Sequence, residues 1–338
     1  MTDLRNDRAK VYGIGNPLID VHARADDSDI KKLGLEKGTM TLIDTERGNA
    51  ILKHIEGREK TYSCGGAAPN TMITLAALGI RTALAGIVGN DELGEIYHER
   101  LSEKRVSSDL SVYPGGTGSC IVLVTPDYER TMCTRLGVCQ NFGPEHVRHE
   151  AIAVADYFYF TGYMWDTESQ KEALKAAIKT ARKNGTRVVF DVADPFCVER
   201  HHDEFHDLIN NSVDVLLANR DEARLLLGFD DPEKASGVLA EKNVIAAVKN
   251  CADGSCLSEY GGSSCLVDAY RVDAVDSTGA GDNYAAGFLY GLINGYTLSD
   301  AGKLASYVAA QIVRKTGAQF DEKAAQEVNM GIREKCWL

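Results

Sequence analysis

The chain alternates between short runs of apolar, β-branched and aromatic residues and longer segments whose apolar positions recur every three to four residues. "KVYGIGNPLIDV" has strand character, "APNTMITLAALG" (68–79) has helical spacing, and "RTALAGIVG" (81–89) returns to a strand. The exchange continues with "DYFYFTGY" as a strand, "SQKEALKAAIKTARKNG" as a helix closing on Gly185, and "TRVVFDVAD" as a strand. "VDVLLANRDEARLLLG" then passes from strand to helix, "NVIAAVKN" is a strand and "YRVDAV" is strand-like. A last helical period runs through Ala285, Phe288, Leu289, Leu292 and Ile293. Strand and helix in turn predict an α/β fold: a doubly wound, mostly parallel sheet with helices on both faces, because crossover helices cover both sides of a parallel sheet.

Two segments break the rhythm. Between Asp20 and Asp44 there are short extended pieces around "KGTMTLID", and residues 117–136, "TGSCIVLVTPDYERTMCTRL", read as a hairpin turning at Pro126 and Asp127. A small β-sheet lid, discontinuous at about 16–45 and 112–136, is the simplest home for both, and it would cover a ligand. No repeat, low-complexity tract or Pro/Ser-rich linker divides the sequence, so 1–338 is expected to be one domain carrying that lid.

Composition narrows what such a fold can meet. With 338 residues, 44% hydrophobic and 25% charged, there is apolar material for a substantial core. A formal charge of -12 argues against nucleic acid and against anionic membranes as partners, since both bind clustered Lys and Arg. "MTDLRNDRAKVYGIGNPL" lacks the apolar run of a signal peptide and no apolar stretch reaches about 18 residues, so a cytoplasmic protein is expected. Nine cysteines without a C-x-x-C pair suit reduced, mostly buried thiols. In "ERHHDEFHD" His202 and His206 stand one helical turn apart, but the mixed charge around them reads as a solvated helix face.

The chemistry concentrates in "VDAVDSTGAGDNYAAGFLYGL" (272–292), where small residues and two aspartates separate an apolar stretch from a helical one. At such a helix start the N–H groups of Gly279, Ala280, Gly281 and Asp282 lack helical partners, and the dipole favours an anion there. Asp282 in the first turn would repel that anion, which favours a proton acceptor for an attacking alcohol. Helix capping by Asp is the plainer reading of the same residue. Elsewhere there is no G-x-x-x-x-G-K-[ST], and in "GIGNPL" Leu18 stands where a dinucleotide loop needs its third glycine.

Taken in order, "GNPLID", "CGGAAPN", "TGSCIVLVTPDYERTM", "NRDE" and "DSTGAGD" resemble the ribokinase-like (PfkB) carbohydrate and nucleoside kinases, over nearly the whole chain from about Val11 to Phe320. The resemblance implies a doubly wound α/β core under a small β lid and transfer of the γ-phosphate of ATP to a hydroxymethyl group. It implies Asp282 as catalytic base and Gly279, Ala280 and Gly281 as the anion hole, in a reaction governed by positioning and charge neutralisation. Asn219 and Glu222 fall on the family's N-x-x-E positions, which organise Mg²⁺ and phosphates through water, Glu222 being the metal-side residue. Lys249, Gly254 and Ser306 fall on the nucleotide side, and Asp276 falls where some relatives help bind K⁺. Two departures stand out: "KNCADG" puts Lys249 and Cys251 where relatives often carry T-x-G, and Asn283 follows the base where an apolar or aromatic residue is usual.

On the acceptor side the resemblance implies that Asp20 and Asn70 hydrogen-bond sugar hydroxyls and that Gly65 and Gly66 let the backbone come close. "GNPLIDV" and "RKTGAQF" (314–320) look closer to the family's adenosine kinases than to its ribokinases or fructokinases. Asn16, Leu18, Cys120, Met132 and Leu136, with Tyr163 and Met164 of "GYMW", would then surround a purine. The expected activity is ATP-dependent phosphorylation of a nucleoside 5′-hydroxyl, adenosine to AMP, a reaction of purine salvage. A kinase acting on ribose, fructose or a keto-sugar acid is the alternative, and a non-catalytic nucleoside-binding protein the third reading. Monomer and homodimer both stay open, because a lid edge strand can remain solvated or pair with a second subunit.

Overall fold

The computed structural model describes residues 8–335 apart from Tyr128 and Ser263. Its strands are β1 (Val11–Ile14), β2 (Leu18–Arg24), β3 (Met40–Leu42), β4 (Lys60–Gly65), β5 (Thr82–Gly89), β6 (Ser107–Tyr113) and β7 (Gly118–Val124). The second half of the chain adds β8 (Arg130–Arg135), β9 (Tyr157–Thr161), β10 (Arg187–Asp191), β11 (Val215–Asn219), β12 (Ile245–Lys249), β13 (Ser255–Ser258) and β14 (Cys265–Val267). They form a larger sheet in the order β14-β13-β12-β11-β10-β9-β1-β5-β6 and a smaller one in the order β3-β8-β7-β2-β4. Pairing across the larger sheet is parallel from β12 to β6 and antiparallel only at the β13 and β14 edge.

Alternate residues of each central strand enter two different cores. Tyr12, Ile14, Phe158, Phe160, Val188 and Phe190 pack on one face, and Val11, Tyr157, Tyr159 and Val189 on the other. Both faces are therefore covered by helices, and the strands read as continuous apolar runs. The helix Glu168–Asn184 lays Ala173, Leu174, Ala177, Ile178 and Ala181 on the first core and ends at Gly185 in the left-handed region (φ 76°). The helix Ala280–Ile293 buries Ala285, Phe288 and Leu289 on the second. The order of strands reverses at β1, with β5 to one side and β9 to the other, which opens a crevice at the carboxyl ends of the strands.

The smaller sheet stands over that crevice. β7 and β8 form the expected hairpin, from Ser119 opposite Arg135 to Val124 opposite Arg130. Ile121, Leu123 and Cys133 turn toward Ile30, Leu33, Ile51 and Ile55 of two small covering helices. Arg130, Met132 and Thr134 alternate to the crevice side.

Three expectations shift. β4 joins the smaller sheet from outside the anticipated ranges, and Val112 and Tyr113 end the β6 edge of the larger one. "YRVDAV" is not a strand: Tyr270 is tethered through its N–H to Ser306 Oγ, and Val275 is exposed, so its alternation has no sheet face to fill. Asn283, in the first turn of the helix Ala280–Ile293, is wholly buried. It accepts from Thr74 Oγ1 (2.9 Å) and donates to the Gly279 and Ala318 carbonyls (2.8 and 2.9 Å), tying the helix start to its neighbours.

Six of the eight described cysteines are buried and all eight are free thiols, Cys251 being exposed; Cys336 lies outside the described residues. His202 and His206 face each other with ring centroids 4.6 Å apart on the helix Pro195–Asn211. Among the described residues no helix is long and apolar enough to cross a membrane.

Candidate active site

Between the strand ends and the smaller sheet lies a cleft of about 680 Å³. The larger sheet supplies Thr161 from the end of β9, Asp191 from β10 and Lys249 from β12. Leu18, Asp20, Cys120, Arg130, Met132 and Thr134 come from the smaller sheet. The chain from Ala274 to Asp282 closes one end. Of the anticipated residues Asn16, Leu18, Asp20, Gly66, Asn70, Cys120, Met132, Leu136, Tyr163, Lys249, Asp276, Gly279, Gly281 and Asp282 all meet there.

The helix Ala280–Ile293 begins at this wall. Gly279 holds φ 70°, and a Cβ on it would come within 2.5 Å of the Ala318 side chain, so the sharp entry requires glycine. The Ala280 N–H is taken by the Ser277 carbonyl (3.1 Å), which leaves Gly279 and Gly281 of the three expected anion-hole amides on the cleft wall. Asp282 sits in the first turn, where Asn70 Nδ2 donates to its Oδ2 (2.9 Å). Burial pushes its carboxyl up to about 7. The Asn70 hydrogen bond opposes that shift, Asp191 adds to it, and Lys249 opposes it.

On the strand-end side Lys249 Nζ lies 3.3 Å from Asp191 Oδ1, and Tyr159 donates its hydroxyl to Asp191 Oδ2 (3.2 Å). Burial works against the Lys249 ammonium, yet Asp191 and Glu222 hold its pKa above the usual lysine value, so it stays charged. A Cβ on Gly281 would lie 3.6 Å from Nζ, which puts this cation beside the first helical turn. Glu222 stands behind the wall. Its oxygens accept from the Asn219 N–H (2.7 Å) and Asn219 Nδ2 (2.6 Å), while its own N–H donates to Asn219 Oδ1 (2.8 Å) in a reciprocal cap. Burial raises its carboxyl to about 7 against the pull of Lys249.

The lid side is built differently. The Asp20 carboxyl has no hydrogen-bond partner among the described residues, and burial followed by the nearby Asp282 charge lifts it to about 7, with Arg130 opposing. Its carboxylate occupies the room left by Gly65, where a Cβ would come within 2.2 Å of Oδ1; that glycine makes space for Asp20 and does not itself line the cleft. Arg130 forms an ion pair with Asp276 across the cleft, and its Nη1 is a buried N–H group with no partner among the described residues.

Several expected residues take other positions. Asn70 lines the cleft, but it donates to Asp282 on one side and accepts from Gln319 Nε2 (3.0 Å) on the other, so its amide is tied into the protein on both sides. Met164 is wholly buried in the main core. Asn219, Glu222, Gly254 and Ser306 are not among the lining residues. Ser306 instead accepts from the Tyr270 N–H (2.7 Å) and donates to the Asp268 carbonyl (3.2 Å). Gly254 passes so close to the Val267 carbonyl that only glycine fits. Asp276 has its oxygens engaged by the Thr278 N–H (2.8 Å), the Gly317 N–H (2.7 Å) and Arg130. Burial would raise it, but those donors hold it below the ordinary value. Asp191, Arg130 and Gln319 were not anticipated. A carboxylate closing the apolar strand "VVFD" was the one local signal for Asp191.

A carboxylate beside an anion-receiving helix start, with a buried cation opposite and a lid above, fits a phosphotransferase. The family follows from similarity: a model of the pfkB family carbohydrate kinases matches residues 36–325, and the chain belongs to that family of kinases. Membership implies ATP as phosphate donor, usually with Mg²⁺. The structure of adenosine kinase from Sinorhizobium meliloti is 34% identical and superposes with a TM-score of 0.88, over 96% of this chain and 99% of that one. A probable sugar kinase from Rhizobium etli CFN 42 is 33% identical with the same TM-score of 0.88, over 98% and 99%. Adenosine kinase from Schizophyllum commune is 27% identical over 347 residues, covering 92% of this chain and 96% of that protein.

Proposed function

We propose that the protein is an ATP-dependent nucleoside kinase that phosphorylates the 5′-hydroxyl of adenosine to give AMP, in purine salvage in the cytoplasm. One observation carries this reading: Asp20, whose carboxyl has no hydrogen-bond partner among the described residues, shares one cleft with Leu18, Cys120, Met132 and Leu136 and with Asp282, Gly279 and Gly281. An ionised Asp20 accepts hydrogen bonds from a vicinal diol, and the apolar side chains suit a purine face. The similarity to the Sinorhizobium meliloti adenosine kinase supports the same substrate.

In the proposed reaction Asp282 takes the proton of the 5′-hydroxyl as its oxygen attacks the γ-phosphorus. The bond from that phosphorus to the β,γ-bridging oxygen breaks, and ADP leaves. A carboxyl near 7 is matched to this work, because a base is most effective with a pKa close to the operating pH. The helix-start amides and Lys249 face charge that develops on the transferring group.

Among the described residues no group of three or more His, Cys, Asp or Glu could hold a metal ion. Asp191, and Glu222 behind it, fit a Mg²⁺ that arrives with the phosphates and keeps its waters. Such an ion would neutralise phosphate charge. Because its oxygens are already engaged, we assign Asp276 to the loop and the lid rather than to K⁺.

The test is a panel of adenosine, guanosine, inosine, cytidine, ribose and fructose with ATP and Mg²⁺, scored by ADP formation. Adenosine is expected to give the highest kcat/KM. The similarity to the Rhizobium etli probable sugar kinase favours the second reading, and turnover of sugars alone would establish it.

A further inference from the structure

Gln170 is wholly buried near the start of the helix Glu168–Asn184, behind the cleft wall. Its Nε2 donates to the Cys139 carbonyl (2.7 Å) and to Asn16 Oδ1 (2.6 Å), and its Oε1 accepts from the Thr167 hydroxyl (2.9 Å). A backbone carbonyl can only accept, so the Gln170 atom facing Cys139 is the amide nitrogen. That nitrogen in turn requires an acceptor on Asn16, which turns the Asn16 oxygen inward and leaves its own NH₂ for the cleft. Asn16 is 8% exposed and lines the cleft, and among the described residues its Nδ2 has no acceptor. That donor therefore faces the cleft unclaimed, where a ligand's lone pair can satisfy it.

We propose that Gln170 is a positioning residue for acceptor specificity: it locks the Asn16 amide in one orientation, so that the cleft presents an N–H donor and selects nucleosides carrying an acceptor atom at that point. The inference rests on the nucleoside-kinase reading. Asp20 and Asn16 then read opposite features of one molecule. The carboxylate takes hydroxyl donors, and the amide takes a lone pair. With the Asn16 amide free to turn over, the same position would accept as readily as it donates, and the discrimination would be lost.

The test compares dissociation constants and kcat/KM for adenosine with those for 1-deaza-, 3-deaza- and 7-deazaadenosine and the 2′- and 3′-deoxynucleosides, each lacking one acceptor. In Gln170→Met adenosine is expected to weaken about tenfold, in KM more than in kcat, the worth of one hydrogen bond to a buried donor. The one analogue lacking the acceptor that Asn16 reads should change less than about twofold. Asn16→Ala should level the same analogue with adenosine, and adding Gln170→Met to it should cost little more, because Gln170 acts through Asn16. Equal weakening of every compound, additive losses in the double variant, or an Asn16→Ala protein with the wild-type analogue ranking would each overturn the proposal. Should Gln170→Met fail to fold, the Asn16→Ala ranking decides. Wild-type protein that binds no nucleoside would instead overturn the nucleoside reading, and the same levelling is then measured on deoxy analogues of whichever sugar it phosphorylates.

Discussion

Toward the smaller sheet the Asp20 carboxyl has no hydrogen-bond donor among the described residues and Asn16 has an unclaimed NH₂, whereas Asp191 at the end of β10 and Asp276 in the loop before the helix start are each held by two or more donors. On the proposed reading the contrast matches what each part of the cleft would meet. A neutral acceptor molecule brings hydroxyls and lone pairs that can satisfy open polar groups, so leaving them open gives specificity. A polyphosphate brings charge. A half that receives it functions better when its own carboxylates are already neutralised by fixed partners such as Lys249 and Arg130. Asp282 stands at the boundary, with one oxygen fixed by Asn70.

The largest break in this comparison should come at that boundary. Asp282→Asn keeps the shape but cannot take a proton, and kcat is expected to fall by about three orders of magnitude while calorimetry still detects nucleoside binding. Next in size is Lys249→Met, which leaves Asp191 buried without its cation. It should lower kcat/KM for ATP about 100-fold and leave the dissociation constant of adenosine nearly unchanged. Equal losses toward both substrates would dissolve the distinction between the halves.

The two sheets and the lid hairpin follow from local pattern, since continuous apolar runs such as "YFYF" need cover on both faces and the β7–β8 turn carries its own Pro126 and Asp127. Asp282 and Asp20 were found through motifs spanning few residues. What local pattern does not carry is pairing at a distance. Asn70 meets Asp282 across 212 residues and Gln319 across 249, and Lys249 meets Asp191 across 58. Its side chain could have served a sugar or the base equally well; only the fold brings the base within reach. The strand assignment of "YRVDAV" fails for a related reason, because alternation does not say whether a neighbouring edge exists for the segment to join.

A smaller effect separates binding from stability on the lid side. Asp20→Asn should raise KM for adenosine about tenfold through loss of the charged acceptor. The same change should stabilise the ligand-free protein at pH 8 and do little at pH 4. The sign comes from the raised carboxyl: its folded pKa of about 7 exceeds the unfolded value of 3.8, so the native state favours the proton. The associated stability is complete below the unfolded value and is lost as pH rises through 7. Asparagine removes that loss, and thermal unfolding at the two pH values measures it. An Asn variant less stable at pH 8 would mean that Asp20 has a native partner.

The finest test concerns Asn70. Its hydrogen bond favours the ionised form of Asp282, so in Asn70→Ala the balance of burial against that bond moves toward the neutral acid. The activity of the wild-type protein should rise with pH as Asp282 ionises near 7. In the variant the whole limb should move to higher pH, so that the deficit in kcat is several-fold at pH 6 and shrinks by pH 9. A residue that bound the sugar instead would raise KM at every pH and leave the limb where it was. Gln319→Leu, which removes the donor behind Asn70, should move the limb in the same direction by less, since Asn70 keeps its bond to Asp282 but loses the partner that fixes which way its amide faces.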